Sequence, residues 1–473
     1  MNLKLLHKKN IVIFSLIIIL SGCATYYMKT LHFQETVLNG NMIEADQLML
    51  KDKKGIKGKN AILHYLNHGY VAFMLNDWTR SNQYFSTADK LIEDQQKNYL
   101  NETFALLTNP MVKPYKPEDF EVVMLNYFTA LNYINLGQYD DALVECKSLN
   151  IKLNKLNDKY KQNKNRYQHD AFAHLLMGLI YDANEDYNNA FIAYRNAFEI
   201  YESDYAKYFN MQAPLQLKKD LLRTAYLTGF YSDVDEYEKK FGMNFEKDTN
   251  SKSDLVFIWL NGFGPVKSEW SINFTTVQGQ GGIVTFVNDE NGLSIPFPLG
   301  DMNSQNRAAF SDLHLLRVAF PKYIERKPYY KTGQLLEDNN VYDIDLAENI
   351  NEIAFKTLND RMMREFATSL LRLAIKKSVE EATRRQNKNL GAILGIVNAL
   401  TEKADTRNWQ TLPYSFSYAR IPLKIGMNSY KLKVYTTDGE SRLYDFSVNT
   451  EKGKTYFQSF HNIESYPINM GSN

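Results

Sequence analysis

Through the first half of the chain, apolar residues recur every three or four positions, the period of amphipathic helices, and a longer regularity is superposed on it. Counting from Gly69, Asn76-Asp77-Trp78 lies seven to nine residues on, Ser81 at twelve, Phe85 at sixteen and Ala88 at nineteen. The same offsets from Ala130 give Gly137-Gln138-Tyr139, Ala142, Cys146 and Leu149, and from Gly178 they give Glu185-Asp186-Tyr187, Ala190, Tyr194 and Ala197. A weaker fourth unit counts from Ala225, with Ser232-Asp233-Val234 at its turn and Tyr237 where a small residue belongs. Small, turn plus aromatic, small, bulky, small or apolar describes a helical hairpin. The small residue lets two helices approach, and the bulky one fills the space between successive hairpins. Spacings of 61, 48 and 47 residues between units predict long helices or intervening loops, such as Lys152 to Arg166.

Beyond the polar stretch Lys247–Asp254 the pattern changes. Asp254 to Asn261 is a continuous β-favouring run, predicted to be a strand buried on both faces. Trp270, Ile272 and Phe274 alternate as in a half-exposed strand, Gly282–Val287 reads as another, and Leu313–Phe320 is a further strand closed by Pro321. Helical spacing follows at Leu346–Met363, Phe366–Arg385 and Leu390–Thr401; the Gly391 to Gly395 stretch reads as a tightly packed helix, too short to span a membrane. Strands are predicted near Tyr414–Pro422, Ser429–Thr436, Arg442–Asn449 and Thr455–Asn462, with Asp438-Gly439 as a hairpin turn. The expected organisation is multidomain: a tetratricopeptide-like all-α helical repeat over residues 23–246, an α+β domain over 254–410, and an antiparallel β meander or small sandwich over 411–473.

Composition adds exclusions. Of 473 residues, 44% are hydrophobic and 23% charged, which suits chains with real cores. A net charge of +1 speaks against a nucleic-acid binder, and two cysteines cannot build a disulfide framework. Residues 1–22 read as an export signal: Lys4, Lys8 and Lys9 precede the apolar run Ile11–Leu20, and Leu20-Ser21-Gly22-Cys23 resembles the lipobox of bacterial lipoproteins. Ser21 and Gly22 admit a peptidase, and the Cys23 thiol accepts a thioether-linked diacylglycerol, whose acyl chains anchor firmly. Ala24 and the lack of an acidic run after Cys23 point to a lipid-anchored protein of the outer membrane, facing the periplasm.

Two further stretches carry a resemblance. Asn261-Gly262-Phe263-Gly264-Pro265-Val266-Lys267 ends a strand, and Ala404-Asp405-Thr406-Arg407-Asn408-Trp409-Gln410-Thr411-Leu412-Pro413 ends a helix. Together with the lipobox and the order of the halves, they resemble a family of bacterial tetratricopeptide-repeat lipoproteins of unknown function. Members of that family often lie beside genes for lipoproteins that activate peptidoglycan synthases, so the resemblance implies an envelope role.

Candidate chemistry is sparse. His64 and His68 sit four apart on a helix, but no Glu follows His64 and no third ligand is near, so no metal or other cofactor is expected. Cys146 falls in a repeat core slot, where a thiol behaves as a small hydrophobe. Gly279 to Gly282 lacks the Lys-Ser/Thr of a phosphate loop, and His314 has no motif around it. The reading favoured by the repeats is a non-catalytic scaffold holding an envelope protein on its first-helix face, with Tyr65, His68, Asn126, Tyr133, His174 and Tyr181 as candidate contacts. Alternatively, Lys267, Asp405, Arg407 and Trp409 either lock the fold together or line a groove for glycan or peptidoglycan, with Arg forking onto a carboxylate and Trp stacking. A hydrolase within residues 254–413, using Asp405, Glu269 or Asp301, is a third reading.

Overall fold

The structure, a computed structural model, describes residues 26–97, 110–158, 166–245, 253–278, 283–288, 293–298, 315–362 and 403–468, and four helical positions at 369, 372, 376 and 380. Cys23 and its lipobox, Gly279–Gly282, Asp301, His314 and the Gly391–Gly395 stretch lie outside the described residues.

The helical half is built of paired helices: α1 (Leu31–Leu38) with α2 (Met42–Lys51), α3 (Ala61–Met74) with α4 (Trp78–Lys97), α5 (Asp119–Asn135) with α6 (Tyr139–Asp158), α7 (Ala171–Ala183) with α8 (Tyr187–Ile200), and α9 (Leu215–Thr228) with α10 (Tyr231–Phe241). One local device closes every pair. Gly40, Asn76, Gly137, Glu185 and Gly229 all have φ between 59° and 81°, in the left-handed region. The amide after each donates to the carbonyl five residues back: Asn41 to Thr36, Asp77 to Ala72, Gln138 to Tyr133, Asp186 to Tyr181 and Phe230 to Ala225, at 2.8–3.0 Å. This cap satisfies carbonyls that a helix end leaves orphaned.

The cap fixes the true register. Gly69 and Gly178 abut the rings of their own second helices: a Cβ on Gly69 would lie 2.7 Å from the Phe85 ring, and one on Gly178 2.3 Å from that of Tyr194. The fourth repeat turns at Gly229, not at Ser232–Val234, so Leu222 rather than Ala225 occupies the small-residue slot. A hairpin upstream of Gly69, α1–α2, obeys the same offsets, with Gly40 at the turn, Ala45 at the small position and Met49 at the bulky one. Phe33 in its first slot hides it from a search keyed on a small residue.

Among the described residues the second half contains three four-stranded sheets. The first has the order β12 (Thr455–Asn462), β1 (Ser253–Asn261), β9 (Ser415–Leu423), β8 (Asp345–Asn349). The second runs β11 (Ser441–Thr450), β10 (Gly426–Thr436), β6 (Tyr330–Glu337), β7 (Asn340–Asp343), and the third β4 (Leu293–Pro298), β3 (Ile283–Asn288), β2 (Val266–Gln278), β5 (Leu315–Ile324). In β1 the alternation of a strand splits the residues between two cores. Leu255, Phe257 and Trp259 join Ala419, Ile421, Tyr430, Leu432 and Val434 between the first two sheets, while Val256, Ile258 and Leu260 pack with the helical repeat.

Several expectations need correction. The last four strands are not a meander: β10 pairs with β11, but β9 and β12 flank β1 in the other sheet, β12 in parallel. Residues 254–410 and 411–473 therefore do not separate, because β1 and β9 share one ladder from Ser253↔Leu423 to Asn261↔Ser415. The helix expected from Leu346 starts at residue 350, since β8 takes residues 345–349, and β5 continues through Pro321 to Ile324. Among the described residues no helix is long and apolar enough to cross a membrane.

Gly178→Val places a branched side chain where the buried Tyr194 ring already sits. Overpacking of this kind costs about 1–3 kcal/mol, and chemical denaturation should show a loss at the upper end of that range with helical circular dichroism retained; an unchanged midpoint would contradict the close packing.

Candidate functional site

The first helices of the hairpins are covered by the chain itself. On β9, Phe416, Tyr418 and Arg420 alternate toward the repeat, Phe416 meeting α5 and α7 and the other two the α7–α9 end. Phe416 packs on Tyr127 and Phe128 of α5 and on Phe172 of α7, with ring centres 5.1–6.4 Å apart. The Tyr418 hydroxyl reaches Asp220 of α9 at 3.4 Å, and Arg420 holds Asp182 of α7 at 2.7 Å and Asp220 at 2.9 Å. Arg223 pairs with Asp182 from the other side, so two buried carboxylates face two guanidiniums. At the far end, His461 of β12 accepts the Tyr70 hydroxyl on Nδ1 at 2.9 Å and donates from Nε2 to the Gly262 carbonyl at 2.7 Å. Burial lowers its pKa to about 4, which keeps the ring neutral and fits this assignment of donor and acceptor.

Between these ends lies the 404–413 segment, interlocked with 261–267. Asn408 bridges the two motifs: its Nδ2 donates to the Pro265 carbonyl at 2.9 Å and its Oδ1 accepts the Lys267 amide at 3.0 Å. The Gly264 amide donates to the Leu412 carbonyl at 2.7 Å, and the Tyr414 amide to that of Asn261 at 3.0 Å. Arg326 ties the carbonyls of Gly264 and Gln410 together. Gly262 needs its glycine, having φ 56° and room for no Cβ, since one would sit 2.8 Å from Pro328.

The segment then meets the repeat. The Trp409 indole packs against Phe85 and Phe128 at 5.6–5.7 Å, and its Nε1 donates to Thr411, which in turn donates to Asn67 of α3. Arg407 forks onto Asp405 at 2.7 and 2.9 Å and donates to the Lys113 carbonyl and Asn60. Both Trp409 and Arg407 are 1% exposed, so neither offers a platform to a glycan.

Beneath Trp409 sits a charged cluster. Glu121 accepts the Trp409 amide at 2.6 Å, the Glu118 amide at 2.9 Å and the Tyr115 hydroxyl. Glu118 is held by Lys267 and by Arg361 of the helix at residues 350–362. Burial and the neighbouring Glu118 charge push Glu121 up to about 7, although its donors oppose the shift. Burial also disfavours the Glu118 charge, but its two cations outweigh that and hold its pKa below the ordinary range. A second buried pair, Asp170 and Glu348, is wrapped by Tyr127, Tyr167 and Tyr205, and burial raises both carboxyls.

A cavity of about 640 Å³ opens where α7 and α9 meet the first sheet, with Asp182, Lys219, Asp220, Arg223, Tyr226 and Arg420 in its walls. It is bounded by Phe245 and Ser253, which flank residues outside the description.

The candidate contacts of the repeat lie on another face. Tyr65 is beside Tyr84 of α4, His68 stacks on Tyr84 at 3.8 Å and bonds Asp46 of α2 at 2.8 Å, and Asn126 donates to Glu145 of α6 at 2.5 Å. His174 meets Asn150 of α6 at 3.4 Å, Tyr181 lies under Lys147 of α6, and Tyr133 is half-buried against the core. All but His68 lie four before or three after the small slot residue. At about 100° per residue that places them within about 60° of the face turned to a second helix. The face opposite, bearing Asn67, Tyr70, Glu121, Phe128 and Phe172, meets the sheet and the 404–413 segment.

The remaining candidates fare as follows. Lys267 pairs with Glu118 rather than with Asp405, Glu269 accepts the Ala404 amide at 2.6 Å, and Asp301, the third carboxylate of the hydrolase reading, lies outside the described residues. Among the described residues no group of three His, Cys, Asp or Glu side chains is placed to hold a metal. Burial raises the pKa of the Cys146 thiol and so disfavours its thiolate.

No protein-family model matches the chain, and no curated protein matches it in sequence. Solved structures similar to its helical part include the apo form of RapI (16% identity, 46% of this chain and 68% of that one, TM-score 0.31). Others are BtubC from P. vanneervenii (11%, 43% and 73%, TM-score 0.30) and a tetratricopeptide repeat protein from Parabacteroides merdae (13%, 46% and 79%, TM-score 0.20). Likenesses at this level carry no functional argument; the tetratricopeptide-like character rests on the hairpins and their caps.

Trp409→Ala removes the ring that joins the segment to the repeat and should cost about 3–5 kcal/mol in denaturant unfolding; a loss under 1 kcal/mol would mean that the segment is not held there. Glu121 also makes a pH signature. Its folded pKa lies above the ordinary 4.5, so its stabilising contribution is full below that value and is lost as pH rises through about 7. Glu121→Gln should therefore flatten the fall of the thermal midpoint between those pH values, and a slope equal to that of the native chain would contradict this.

Proposed function

We propose that the protein is a lipid-anchored component of the bacterial cell envelope, tethered through Cys23 and acting as a non-catalytic protein-interaction scaffold. Its partner is an envelope protein, in keeping with the peptidoglycan-associated setting that the sequence resemblance implies. The lipobox supports the anchor. The observation that carries the scaffold reading is the division of the repeat surface: the first-helix face is occupied internally, while the second helices present exposed aliphatics. Ile43 and Leu50 of α2, Val144 and Ile151 of α6 and Ile192 of α8 are 37–70% exposed. Exposed apolar side chains on three of the second helices are the usual material of an interface core. The partner thus meets the second-helix face, and the glycan-binding reading lacks an exposed Arg407–Trp409 pair.

Two measurements test this. Labelled palmitate should enter the native protein in cells and not the Cys23→Ala variant, which should move to the soluble fraction; absence of label from the native chain removes the anchor. A photo-crosslinking residue at Val144 or Ile151 should yield one discrete adduct in intact cells, and none at Asn67. Adducts at Asn67 alone would return the partner to the first-helix face.

A further inference from the structure

The chain enters the fold abruptly. Tyr26 is buried, its amide donates to the Thr406 hydroxyl at 3.1 Å, and Thr30 reaches Gln410 at 3.4 Å. Tyr26 lies three positions on from Cys23, and three residue steps span at most about 11 Å. Any acyl chain on Cys23 therefore brings the bilayer surface to within about a Debye length of the corner where Tyr26 docks.

That corner is basic and partly apolar. Lys51, Lys53, Lys54, Lys57 and Lys59 lie within nine residues, interrupted by one acid, Asp52, and all five are exposed. Lys29 is exposed beside Met28, and Lys113 lies beside Val112; Met28 and Val112 are 49% and 58% exposed. These stretches meet physically. Lys59 Nζ donates to the Met111 carbonyl at 2.7 Å, the Tyr115 amide to the Lys59 carbonyl at 2.7 Å, and Arg407 joins Asn60 to Lys113. Burial, Arg407 and Lys29, in that order, lower the pKa of Lys59, which shows that several cations crowd one another here. Of the nearby carboxylates, Asp405 is forked by Arg407 and Asp52 accepts the Gly55 amide.

We propose that the corner made by Tyr26–Lys29, Lys51–Lys59 and Met111–Lys113 is a membrane-seating surface that binds the phosphates of an anionic phospholipid bilayer, so that the protein stands on its membrane in one orientation. Lysines meet the headgroup phosphates, while Met28 and Val112 enter the interface, the combination by which peripheral surfaces hold to bilayers. The inference rests on the lipid-anchor reading for its biological setting, but its test does not need the anchor.

The test uses the chain from residue 23 onward carrying Cys23→Ser, so that no lipid is attached. It should co-sediment with phosphatidylglycerol–phosphatidylcholine vesicles, not with pure phosphatidylcholine, and lose binding as salt rises. Each lysine near an anionic surface contributes roughly fivefold, so Lys29→Ala/Lys53→Ala/Lys57→Ala should weaken binding about a hundredfold. Lys424→Ala/Lys431→Ala, on the remote second sheet and its approach, should not weaken it, and both variants should keep the native thermal midpoint. Failure of the unlipidated chain to sediment, or equal weakening by both sets, overturns the proposal. A dimer that the triple variant abolishes, with no vesicle binding, would put a second copy on this surface and overturn it as well. Palmitate labelling decides the anchor separately, so the two failures are distinguishable.

Discussion

The fold depends on the interlock of two short motifs within the first-helix face of the repeat. Asn408 binds the backbone on both sides of Pro265, Arg326 clasps Gly264 to Gln410, and Trp409 fills the space between Phe85 and Phe128. Asn408, Arg407 and Trp409 each find hydrogen-bond partners in the two motifs or in the repeat, which is the condition for burying them. Lys267 and Arg361 on Glu118 extend the same principle to charge: carboxylates of one half are neutralised by cations of the other. The two halves of the chain thus form one cooperative body, held by contacts between residues more than a hundred positions apart.

This constraint decides what the repeat can do. Stacked helical hairpins ordinarily offer the face of their first helices to a partner. Here β9, β12 and the 404–413 segment occupy that face, and the protein carries its own ligand. The surfaces proposed for recognition are the second-helix side, with exposed aliphatics on α2, α6 and α8, and the basic corner beside Tyr26.

Much of this was legible in the sequence. The offsets from Gly69 and Gly178 marked close helix contacts that the Phe85 and Tyr194 rings now fill, and the apolar run of β1 marked a strand buried on both faces. The phase of the first helices was not read correctly, although a signal existed. The sequences of α3, α5 and α7 are apolar almost all round, and such helices are buried on every side. Tyr70, Phe128 and Phe172 had no reason to face water. The sheet order was illegible for a different reason: parallel pairing of β1 with β12 joins residues some two hundred apart, and local alternation fixes faces but not neighbours. The α1–α2 hairpin escaped because Phe33 replaces the small residue, while its cap at Gly40 keeps the rule.

The central claim is that residues 404–413 are an internal ligand bound as firmly as the core. Native-state amide hydrogen exchange tests it most directly, because the Trp409 amide bonds to Glu121 and the Gly264 amide to the Leu412 carbonyl. Both amides should exchange only through global unfolding, with the same denaturant dependence as the amides of β1 and α5. Exchange at these two amides as fast as in an open loop, while β1 stays protected, would contradict the account.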